Sequence, residues 1–360
     1  MAASCALTLP SAISVSVSVS SNSPRRFRRS RRVVAMASVG QKVYAPGVAV
    51  SEGNGGLPKI DLKSPHGRDG INICTALNWI CIIWDLGYLL TYPSKFQVTI
   101  GFFQLTQQSE AEIYLFGACV TSWKVPSGKD LLFVRPDAVF NGQKPISGGI
   151  PHCFPQFGPG TMQQHGFARN MNWSITDSEA NEGDPAVTLE LKDDSYSRSM
   201  WDFSFQALYK VALHSTSLST TLKITNTDDK PFSFNSALHS YFSASISGVS
   251  VKGLKGCKTL NKDPDPKNPL EGKEEREEVT FPGFVDCIYL GAPSELTLDN
   301  GLGDKIVISN ANWSDAVLWN PHLQMEACYK DFVCVENAKI ETLQLGPNQS
   351  WVAEQKIELI

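Results

Sequence analysis

WDFSFQALYKVAL, residues 201–213, alternates apolar and polar side chains along its whole length. The apolar set falls on every second position: Phe203, Phe205, Ala207, Tyr209, Val211 and Leu213. Successive residues of a β-strand point to opposite faces, so this set shares one face while Ser204, Gln206 and Lys210 share the other. The stretch therefore predicts a strand with one face in a hydrophobic core.

The same period of two recurs on both sides of this stretch. It runs through EIYLFGACVTSW (112–123), AVTLELK (186–192), LSTTLKITN (218–226), DKIVIS (304–309) and SWVAEQKIEL (350–359). Turn signals such as NTDDKP and SGKD separate these segments, and no helical periodicity of useful length occurs. We therefore predict an all-β fold, a large sandwich formed by one domain.

The N-terminal segment differs from the rest in charge. Residues 1–51 contain no Asp or Glu, and the segment 25–32 holds six arginines within a Ser-rich region. An acid-free leader rich in Ser and Arg is typical of an organellar transit peptide. A basic nucleic-acid-binding arm is the alternative, but the remaining chain is acidic, which disfavours it. We predict a chloroplast transit peptide over residues 1–36, disorder to about residue 50, a stromal location and no nucleic-acid partner.

Residues 70–108 lack the alternation and include the most apolar stretch of the chain, INICTALNWICIIWDLGYLLTYPSKFQVTIGFF (71–103). Asp85 interrupts it and Pro93 ends its first part, so its runs fall short of the roughly 18–20 residues of a membrane helix. We expect no stable membrane span. We interpret residues 70–108 as an atypical insertion that reflects an unspliced intron or a gene-prediction error, with a plastid-membrane tether as the alternative. A spliced transcript that encodes them would exclude the first explanation.

Two further patterns predict structural roles. The charged, Pro-rich run KTLNKDPDPKNPLEGKEEREE (258–278) is expected to be a solvated loop without function. Cys153, Cys287, Cys328 and Cys334 lie in apolar or strand-like runs without paired spacing, which predicts buried thiols.

Polar side chains that fall near turns of a β-sandwich are candidates for chemistry, because loops on a rigid scaffold often carry function. QQHGFARN (163–170) carries His165 and Arg169, SALHSYFS (236–243) carries His239, and DFVCVENAK (331–339) carries Glu336. A carboxylate that ends an apolar run is expected to be partly buried, and the raised pKa suits a general base. Each side chain alone also fits a structural role. The residues predict acid–base chemistry, and no metal-ligand spacing is present.

Four sequence blocks together resemble a known family. GGIPHCFPQFG (148–158), HGFARN, LHSYF and WNPHLQMEACYKDFVCVE (319–336), in this order, are similar to the aldose 1-epimerase (galactose mutarotase-like) superfamily. Within it they resemble the glucose-6-phosphate 1-epimerase, or hexose-6-phosphate mutarotase, branch. The resemblance covers about residues 57–70 and 109–360. It implies a large antiparallel β-supersandwich over residues 57–360, and we expect a monomer.

The resemblance implies an isomerase that interconverts the α and β anomers of a hexose or hexose phosphate by acid–base ring opening, without a cofactor. Glu336 would be the base and His239 the acid. The residues implied in substrate binding are His165, Arg169, Asp286, Lys144 and Gln164. Gly148 and Gly149 would let the backbone approach the ligand or serve as turn glycines.

One position departs from the branch. Many of its members carry an arginine just before the GGIP motif, where this chain has Ser147. Lys144 and Arg135 lie nearby in sequence and could replace the missing cation. Two alternatives to a phosphosugar enzyme stay open: a mutarotase of unphosphorylated aldoses, and a non-catalytic sugar-fold subunit or assembly factor of a chloroplast complex. The joint presence of His165, His239, Asp286 and Glu336 favours an enzyme.

Overall fold

The computed structural model describes residues 43–65 and 108–360. The predicted transit peptide (residues 1–36) and nearly all of the predicted insertion (residues 70–108) lie outside these residues. From Tyr44 onward the described residues belong to one compact unit. No helix among the described residues is long and apolar enough to cross a membrane.

The described residues form β-strands joined by turns, with one short α-helix. The first strands are β1 (Val48–Glu52), β2 (Pro58–Lys63), β3 (Glu110–Tyr114), β4 (Cys119–Lys124), β5 (His152–Cys153), β6 (Ser174–Asn181) and β7 (Asp184–Lys192). The middle strands are β8 (Phe205–Leu213), β9 (Ser217–Asn226), β10 (Phe232–Leu238), β11 (Tyr241–Ser243), β12 (Ser250–Lys252), β13 (Lys258–Asn261) and β14 (Leu270–Lys273). The last are β15 (Glu278–Val279), β16 (Val285–Leu290), β17 (Glu295–Asp299), β18 (Lys305–Ala311), β19 (Asp315–Asn320), β20 (Phe332–Leu345) and β21 (Ser350–Leu359).

Short helical turns connect some of these strands. Helix α1 spans Ser195–Met200, and its N-terminus is capped by the Asp194 carboxylate, which accepts from the backbone N–H groups of Tyr196 and Ser197. Single 3₁₀ turns lie at Asn54–Gly56, Ala168–Asn170, His322–Met325 and Tyr329–Asp331.

The strands form three antiparallel sheets. A small sheet has the order β1-β2-β3-β4. An eight-stranded sheet has the order β14-β13-β16-β19-β20-β10-β5, with β11 also paired to β20, and a nine-stranded sheet has the order β15-β12-β17-β18-β21-β9-β8-β7-β6. The prediction of an all-β, antiparallel supersandwich is therefore confirmed.

The stretch that predicted the fold becomes β8. Phe205, Ala207, Tyr209, Val211 and Leu213 are each at most 1% exposed, while the residues between them are half-buried. Phe203 precedes the strand and only packs against the core from its edge. The alternation therefore reports the core face of the nine-stranded sheet, as expected for a sheet that packs on one side.

Aromatic packing fixes the segment between residues 148 and 170 onto the core. Phe154 is 1% exposed, and its ring centre lies 5.4 Å from those of both Phe205 and Phe234 and 6.2 Å from that of Phe167. Tilted and edge-to-face contacts of this kind add to the burial energy of large rings. The Gly- and Pro-rich segment is therefore rigidly attached although it contains little regular structure.

Two expectations about segment boundaries are wrong. The chain is ordered before residue 50, because Val48–Glu52 forms β1 and pairs with β2, which brings apolar residues of the N-terminal segment onto the sheet. The run 258–278 contains β13 and β14, which form the edge of the eight-stranded sheet. Its charged side chains are mostly exposed, as predicted, but the backbone hydrogen bonds of the ladder make it structured.

The four cysteines predicted to be buried are at most 9% exposed. All cysteines among the described residues are free thiols, so no disulfide crosses this part of the chain.

Candidate active site

A cavity of about 340 Å³ opens on the face of the eight-stranded sheet that points away from the nine-stranded sheet. Its walls are formed by Arg135, Pro145, Ser147, Phe157, Gly158, Gln164, His165, Arg169, His239, Tyr241, Lys262, Asp286, Val317, Trp319, Met325 and Glu336. This volume falls at the lower end of the range of about 300–1,000 Å³ that is usual for small-molecule sites.

Strand register assembles the floor of the cavity. One row across the sheet contains Asp286, Trp319 and Cys334, which lie opposite one another in β16, β19 and β20. The next row on the same face contains Val317 opposite Glu336. Directly opposed residues of neighbouring strands point to the same side, so a carboxylate, an indole and a second carboxylate face the same space.

His239 lies between β10 and β11, where the sheet strand breaks for two residues. Its backbone N–H donates to the carbonyl of Pro151 at 3.0 Å, and the next strand is fixed by the Tyr241 N–H, which donates to the carbonyl of Gly149 at 2.8 Å. The imidazole stacks on Tyr241 with ring centres 4.8 Å apart and meets the edge of Trp319 at 5.7 Å. Aromatic contacts on two sides therefore fix the ring in the cavity wall.

Glu336 is 2% exposed and lies opposite this ring. Its Oε1 is 3.4 Å from His239 Nδ1, and its Oε2 has no hydrogen-bond partner among the described residues. Burial raises the pKa of the Glu336 carboxyl well above its ordinary value, and the neighbouring Asp286 carboxylate raises it further, while Lys262 and Arg169 oppose the shift. A carboxylate with a raised pKa accepts a proton readily, which suits a general base.

The two histidines of the cavity are shifted the other way. Burial, together with the positive charge of Arg169, lowers the pKa of His239 to about 3. Burial lowers the pKa of His165 to about 2, with smaller contributions from His239 and Arg169. Their ring centres are 5.5 Å apart. Both rings are therefore neutral in the free protein near pH 7.

His165 is held by an unusual local backbone. Its φ is 65°, in the left-handed region that non-glycine residues rarely adopt, and Gly166 follows at φ 71°. The Gly158 N–H donates to His165 Nδ1 at 3.1 Å, and Cys153 Sγ lies 3.2 Å from the same nitrogen. Strained conformations of this kind persist where the surrounding structure enforces them, and they concentrate at functional sites.

Three cationic side chains line the same cavity as the carboxylates. Lys262 Nζ forms an ion pair with Asp286 Oδ1 at 2.9 Å, and both side chains are 16% exposed. The Arg169 guanidinium donates to the carbonyl of Gln164 at 2.9 Å. Arg135 is paired with Asp137 through Nε and Oδ1 at 2.9 Å. The cavity can therefore receive an anionic group.

A buried amide lies beneath the catalytic candidates. Gln355 of β21, 1% exposed, donates through Nε2 to Asn337 Oδ1 at 2.7 Å and to Ser240 Oγ at 3.2 Å. Asn337 and Ser240 are the chain neighbours of Glu336 and His239. The nine-stranded sheet therefore helps to fix the spacing of these two side chains.

The structure brings six of the seven predicted site residues to one cavity: His239, Glu336, His165, Arg169, Asp286 and Gln164. Lys144 does not line it. The Lys144 side chain is exposed, and its backbone N–H donates to the Asn141 side-chain oxygen at 3.1 Å in a turn.

Gly148 and Gly149 approach protein backbone rather than the cavity. A Cβ at Gly148 would lie 2.4 Å from the Val134 Cα, and one at Gly149 would lie 2.0 Å from the Val120 carbonyl oxygen. Both have φ in the left-handed region, at 132° and 68°. Of the two roles expected for these glycines, the structural one is observed.

Sequence reasoning misses Lys262, Tyr241 and Trp319 as cavity residues. Lys262 follows β13 in the run that is predicted to be a loop without function, and the pairing of β13 with β16 brings it to Asp286. Trp319 is visible only as the start of a block that resembles the family. Its position opposite Cys334 depends on strand register, which single sequences do not reveal.

The arrangement can move protons on a bound polar molecule. Glu336 provides an acceptor, His239 a ring that can carry a proton, and His165 and Asp286 provide further polar contacts. No cluster of three His, Cys, Asp or Glu residues with the geometry of a metal site occurs among the described residues.

Comparison with known proteins identifies the family of this chain. The aldose 1-epimerase family matches residues 102–358. A protein of Cenchrus ciliaris named "Putative glucose-6-phosphate 1-epimerase" is 39% identical over 261 residues, which cover 67% of this chain and 78% of that protein. A protein of Escherichia coli with the same name is 31% identical over 249 residues, which cover 64% and 80%.

Solved structures show the same fold. A protein from Salmonella typhimurium, described as "a putative mutarotase", superposes with a TM-score of 0.67 at 23% identity and covers 87% of this chain and 96% of that chain. A galactose mutarotase-like protein from Clostridium acetobutylicum superposes with a TM-score of 0.62 at 14% identity, over 88% and 99%. This chain therefore has the galactose mutarotase-like fold and belongs to the aldose 1-epimerase family of isomerases.

Proposed function

We propose that the protein is a glucose-6-phosphate 1-epimerase in which Glu336 is the base and His239 the acid. The observation that carries this proposal is the buried pair itself: Glu336 Oε1 faces His239 Nδ1 at 3.4 Å inside a cavity that Arg135, Arg169 and Lys262 also line. The names of the plant and bacterial relatives support the choice of substrate.

Anomer exchange needs two proton transfers. Glu336 takes the proton of the C1 hydroxyl, and His239 gives a proton to the ring oxygen, so the C1–O5 bond breaks and the free aldehyde forms. Rotation about the C1–C2 bond exposes the other face of the aldehyde. Reversal of both transfers closes the ring as the other anomer. Each positioned group contributes roughly 10²- to 10⁴-fold to the rate.

In the resting protein the proton is favoured on Glu336 and not on His239, the proposed acid. The raised pKa of Glu336 and the lowered pKa of His239 both favour a proton on the carboxyl over one on the imidazole. The reaction needs it on the imidazole. A phosphate dianion at the mouth of the cavity favours the imidazolium by Coulomb attraction. The phosphate would therefore assist catalysis as well as binding.

Arg135 can supply the phosphate contact at the place where Ser147 replaces the arginine of many relatives. The Arg135 N–H donates to the carbonyl of Ser147 at 3.0 Å, and both residues line the cavity. Adjacent strands at such a bridge place their side chains next to each other, so a guanidinium from position 135 reaches the region that a side chain at position 147 would reach. Its partner Asp137 is mostly exposed and can give way to a phosphate.

Magnetisation-exchange NMR on purified protein tests the function. We expect acceleration of α–β exchange of glucose 6-phosphate, and a much smaller effect on free glucose. Acceleration of free glucose alone would support the unphosphorylated-aldose alternative. If neither sugar exchanges faster than in buffer, the enzyme proposal is wrong and the non-catalytic subunit gains support.

Arg135→Ala tests the phosphate contact with a matched rescue. The variant should raise KM for glucose 6-phosphate by about tenfold, as expected for one lost charge-assisted hydrogen bond, and leave turnover of glucose unchanged. The double variant Arg135→Ala/Ser147→Arg should recover most of the loss. Equal losses on both sugars would show that Arg135 acts on the fold and not on phosphate.

We also propose that the protein works in the chloroplast stroma, because of the acid-free, Ser- and Arg-rich leader. Residues 1–50 fused to a fluorescent protein should direct it into chloroplasts, and replacement of the six leader arginines by alanine should reduce import. A fusion that stays in the cytosol would contradict this proposal.

A further inference from the structure

We propose that Cys153 is a positioning residue that, with the backbone of Gly158, fixes His165 as a neutral hydrogen-bond donor to the substrate. The part that concerns turnover rests on the proposed function. The part that concerns the state of the imidazole rests on geometry alone.

The hydrogen bonds at His165 Nδ1 have a defined direction. The Gly158 backbone N–H can only donate, and it points at Nδ1 from 3.1 Å. Nδ1 must therefore present its lone pair, and it cannot carry a hydrogen. The Cys153 Sγ lies 3.2 Å from the same nitrogen, which has no hydrogen to give it. Nδ1 has one in-plane lone pair, so in this proposal the thiol shares it with the Gly158 N–H as a second, weaker donor.

The Cys153 thiol is protonated. Cys153 is fully buried, and burial raises the pKa of its thiol far above the ordinary value, with the Glu336 charge acting in the same direction. The sulfur therefore keeps its hydrogen at any physiological pH. A thiol with a permanent hydrogen can serve as a fixed donor to Nδ1.

The other ring nitrogen of His165, Nε2, carries the hydrogen. With Nδ1 unprotonated, the neutral ring carries its hydrogen on Nε2, on the opposite side from Cys153. The Gln164 amide nitrogen lies 3.3 Å from Nε2. A half-turn of this amide exchanges its oxygen and nitrogen, and in that orientation the oxygen accepts from Nε2–H between substrates. When a sugar binds, Nε2–H is free to donate to the C1 oxygen, where negative charge develops as Glu336 removes the proton.

A neutral His165 ring makes it easier for the neighbouring His239 to carry a proton. His239 must accept a proton during the cycle, and its ring centre is only 5.5 Å from that of His165. A second imidazolium at this distance would oppose the charging of His239. Two donors at Nδ1 prevent His165 from taking a proton there. His165 therefore stabilises charge without competing for the proton that His239 needs.

The backbone around His165 supports the same conclusion. The His165 N–H donates to the Gly158 carbonyl at 2.9 Å, and the His165 carbonyl accepts from the Phe154 N–H at 3.2 Å. Cys153 and Phe154 are consecutive residues. The thiol and the backbone bond that hold His165 therefore come from one rigid segment, in which Cys153 is paired with Ala237 of β10.

Nitrogen-15 NMR of histidine-labelled, full-length protein tests the imidazole state without any assay of activity. We expect His165 Nδ1 to resonate as an unprotonated ring nitrogen and Nε2 as a protonated one, with the signals assigned by their loss in His165→Asn. In Cys153→Ala, the Nδ1 signal should move towards the position of a nitrogen with fewer hydrogen bonds, and in Cys153→Ser it should move back. A protonated Nδ1 in the wild type, or an Nδ1 signal that Cys153→Ala leaves in place, would overturn the proposal.

Anomer-exchange kinetics supply the second readout. Cys153→Ala should lower kcat for glucose 6-phosphate by about tenfold, the size of one lost hydrogen bond, and Cys153→Ser should return it to within about threefold of the wild type. Cys257→Ala, which removes another buried thiol outside the cavity, controls for a general effect of cavity formation and should leave kcat unchanged.

The two parts fail separately. If the wild type does not accelerate exchange, the proposed function is wrong, but the nitrogen-15 spectra still decide the imidazole state. If exchange is fast and Cys153→Ala matches the wild type, the positioning role of Cys153 is wrong. Should Cys153→Ala fail to fold, the wild-type spectrum and Cys153→Ser still give the same decision.

Discussion

His152 and Cys153 are neighbours on β5, yet they contact different parts of the molecule. His152 points between the two large sheets, where its ring stacks on Trp173 at 5.1 Å and meets the edge of Tyr209 at 4.3 Å. Cys153 points to the opposite face of the sheet, where its Sγ contacts Nδ1 of the cavity residue His165. Both are at most 1% exposed.

The two faces of one strand thus bury polar groups for different reasons. On the core face, neither ring nitrogen of His152 has a hydrogen-bond partner among the described residues, so the ring contributes packing area at a polar cost. On the cavity face, Cys153 contacts His165, and Glu336 lies 3.4 Å from His239. Two polar atoms there without a partner in the part of the chain that the structure describes, His239 Nδ1 and Glu336 Oε2, belong to residues that line a cavity able to hold a ligand. Burial alone therefore does not mark a functional residue. Substitutions on the cavity face should change activity far more than stability, and those on the core face the reverse.

Glu336→Gln should give the largest effect on the cavity face. Without its base, the protein should lose about 10³-fold in kcat for glucose 6-phosphate, within the usual range of a general base. The folded-state pKa of Glu336 lies above its ordinary value of 4.5, so the wild type loses stability as pH rises through the folded-state pKa. Gln cannot ionise. The melting temperature of the variant relative to the wild type should therefore increase as the pH rises above 4.5.

Exchange NMR and thermal melts at several pH values check both parts. A fully active Glu336→Gln variant would refute the base assignment. A variant that loses activity and also stability at every pH would place Glu336 with His152 as a structural residue.

His239→Gln should come second, with a loss of about 10²-fold in kcat from removal of the acid. Glutamine keeps a polar side chain of similar length in the wall but cannot carry the proton. Exchange kinetics on glucose 6-phosphate measure the loss, and a circular dichroism spectrum that matches the wild type verifies the fold. Retained turnover would mean that another group protonates the ring oxygen.

Lys262→Ala and Lys144→Ala form the third test. Lys262 lines the cavity and pairs with Asp286, so its removal should raise KM for glucose 6-phosphate about tenfold, as for one lost charged contact. Lys144 is exposed outside the cavity and should change KM by less than about twofold. Steady-state exchange rates over a range of sugar concentrations measure both. Equal effects would show that the boundary of the site is drawn wrongly.

His152→Ile should have the smallest effect at neutral pH and act on stability alone. Removal of two unpartnered ring nitrogens should raise the free energy of unfolding by about 1 kcal/mol, with kcat unchanged. Burial lowers the pKa of His152 to about 3, from an ordinary 6.5. Below pH 6.5, His152 therefore binds a proton in the unfolded chain but not in the folded protein. The free energy of unfolding falls as the pH drops towards 3.

His152→Ile has no imidazole at this position and therefore does not lose this stability at low pH. Its advantage over the wild type should grow by up to about 1.4 kcal/mol per pH unit below 6.5, as measured by urea unfolding at several pH values. His165 and His239 have the same shift and remain in both proteins, so they do not affect the difference. An advantage that does not depend on pH would show that His152 titrates normally in the fold.

The alternation in residues 201–213 predicts the sheet correctly because a one-sided core imposes a period of two on each strand. The resemblance to the family also assigns His165, His239, Asp286 and Glu336 to one site from the amino-acid sequence alone. These residues occur in short motifs, so their types and order are legible in one chain.

Strand register and turn geometry, by contrast, cannot be predicted from a single amino-acid sequence. Lys262 reaches Asp286 only because β13 pairs with β16, and that pairing spans about 25 residues of charged, Pro-rich sequence. Lys144 is exposed in a turn whose backbone N–H groups donate to the Asn141 side-chain oxygen. His152 and Cys153 form a strand of two residues, too short for any periodicity to tell which one faces the core.

The position of β21 has a consequence for synthesis of the protein. In the nine-stranded sheet β21 lies between β18 and β9, so it joins two four-stranded halves, and it also carries Gln355 beneath His239 and Glu336. Both halves precede β21 along the chain. During translation each half can pair internally, but they stay unjoined until residues 350–359 leave the ribosome. The spacing of His239 and Glu336 is therefore set only after almost all of the described chain has been made, and a ribosome-bound chain that lacks β21 is expected not to accelerate anomer exchange.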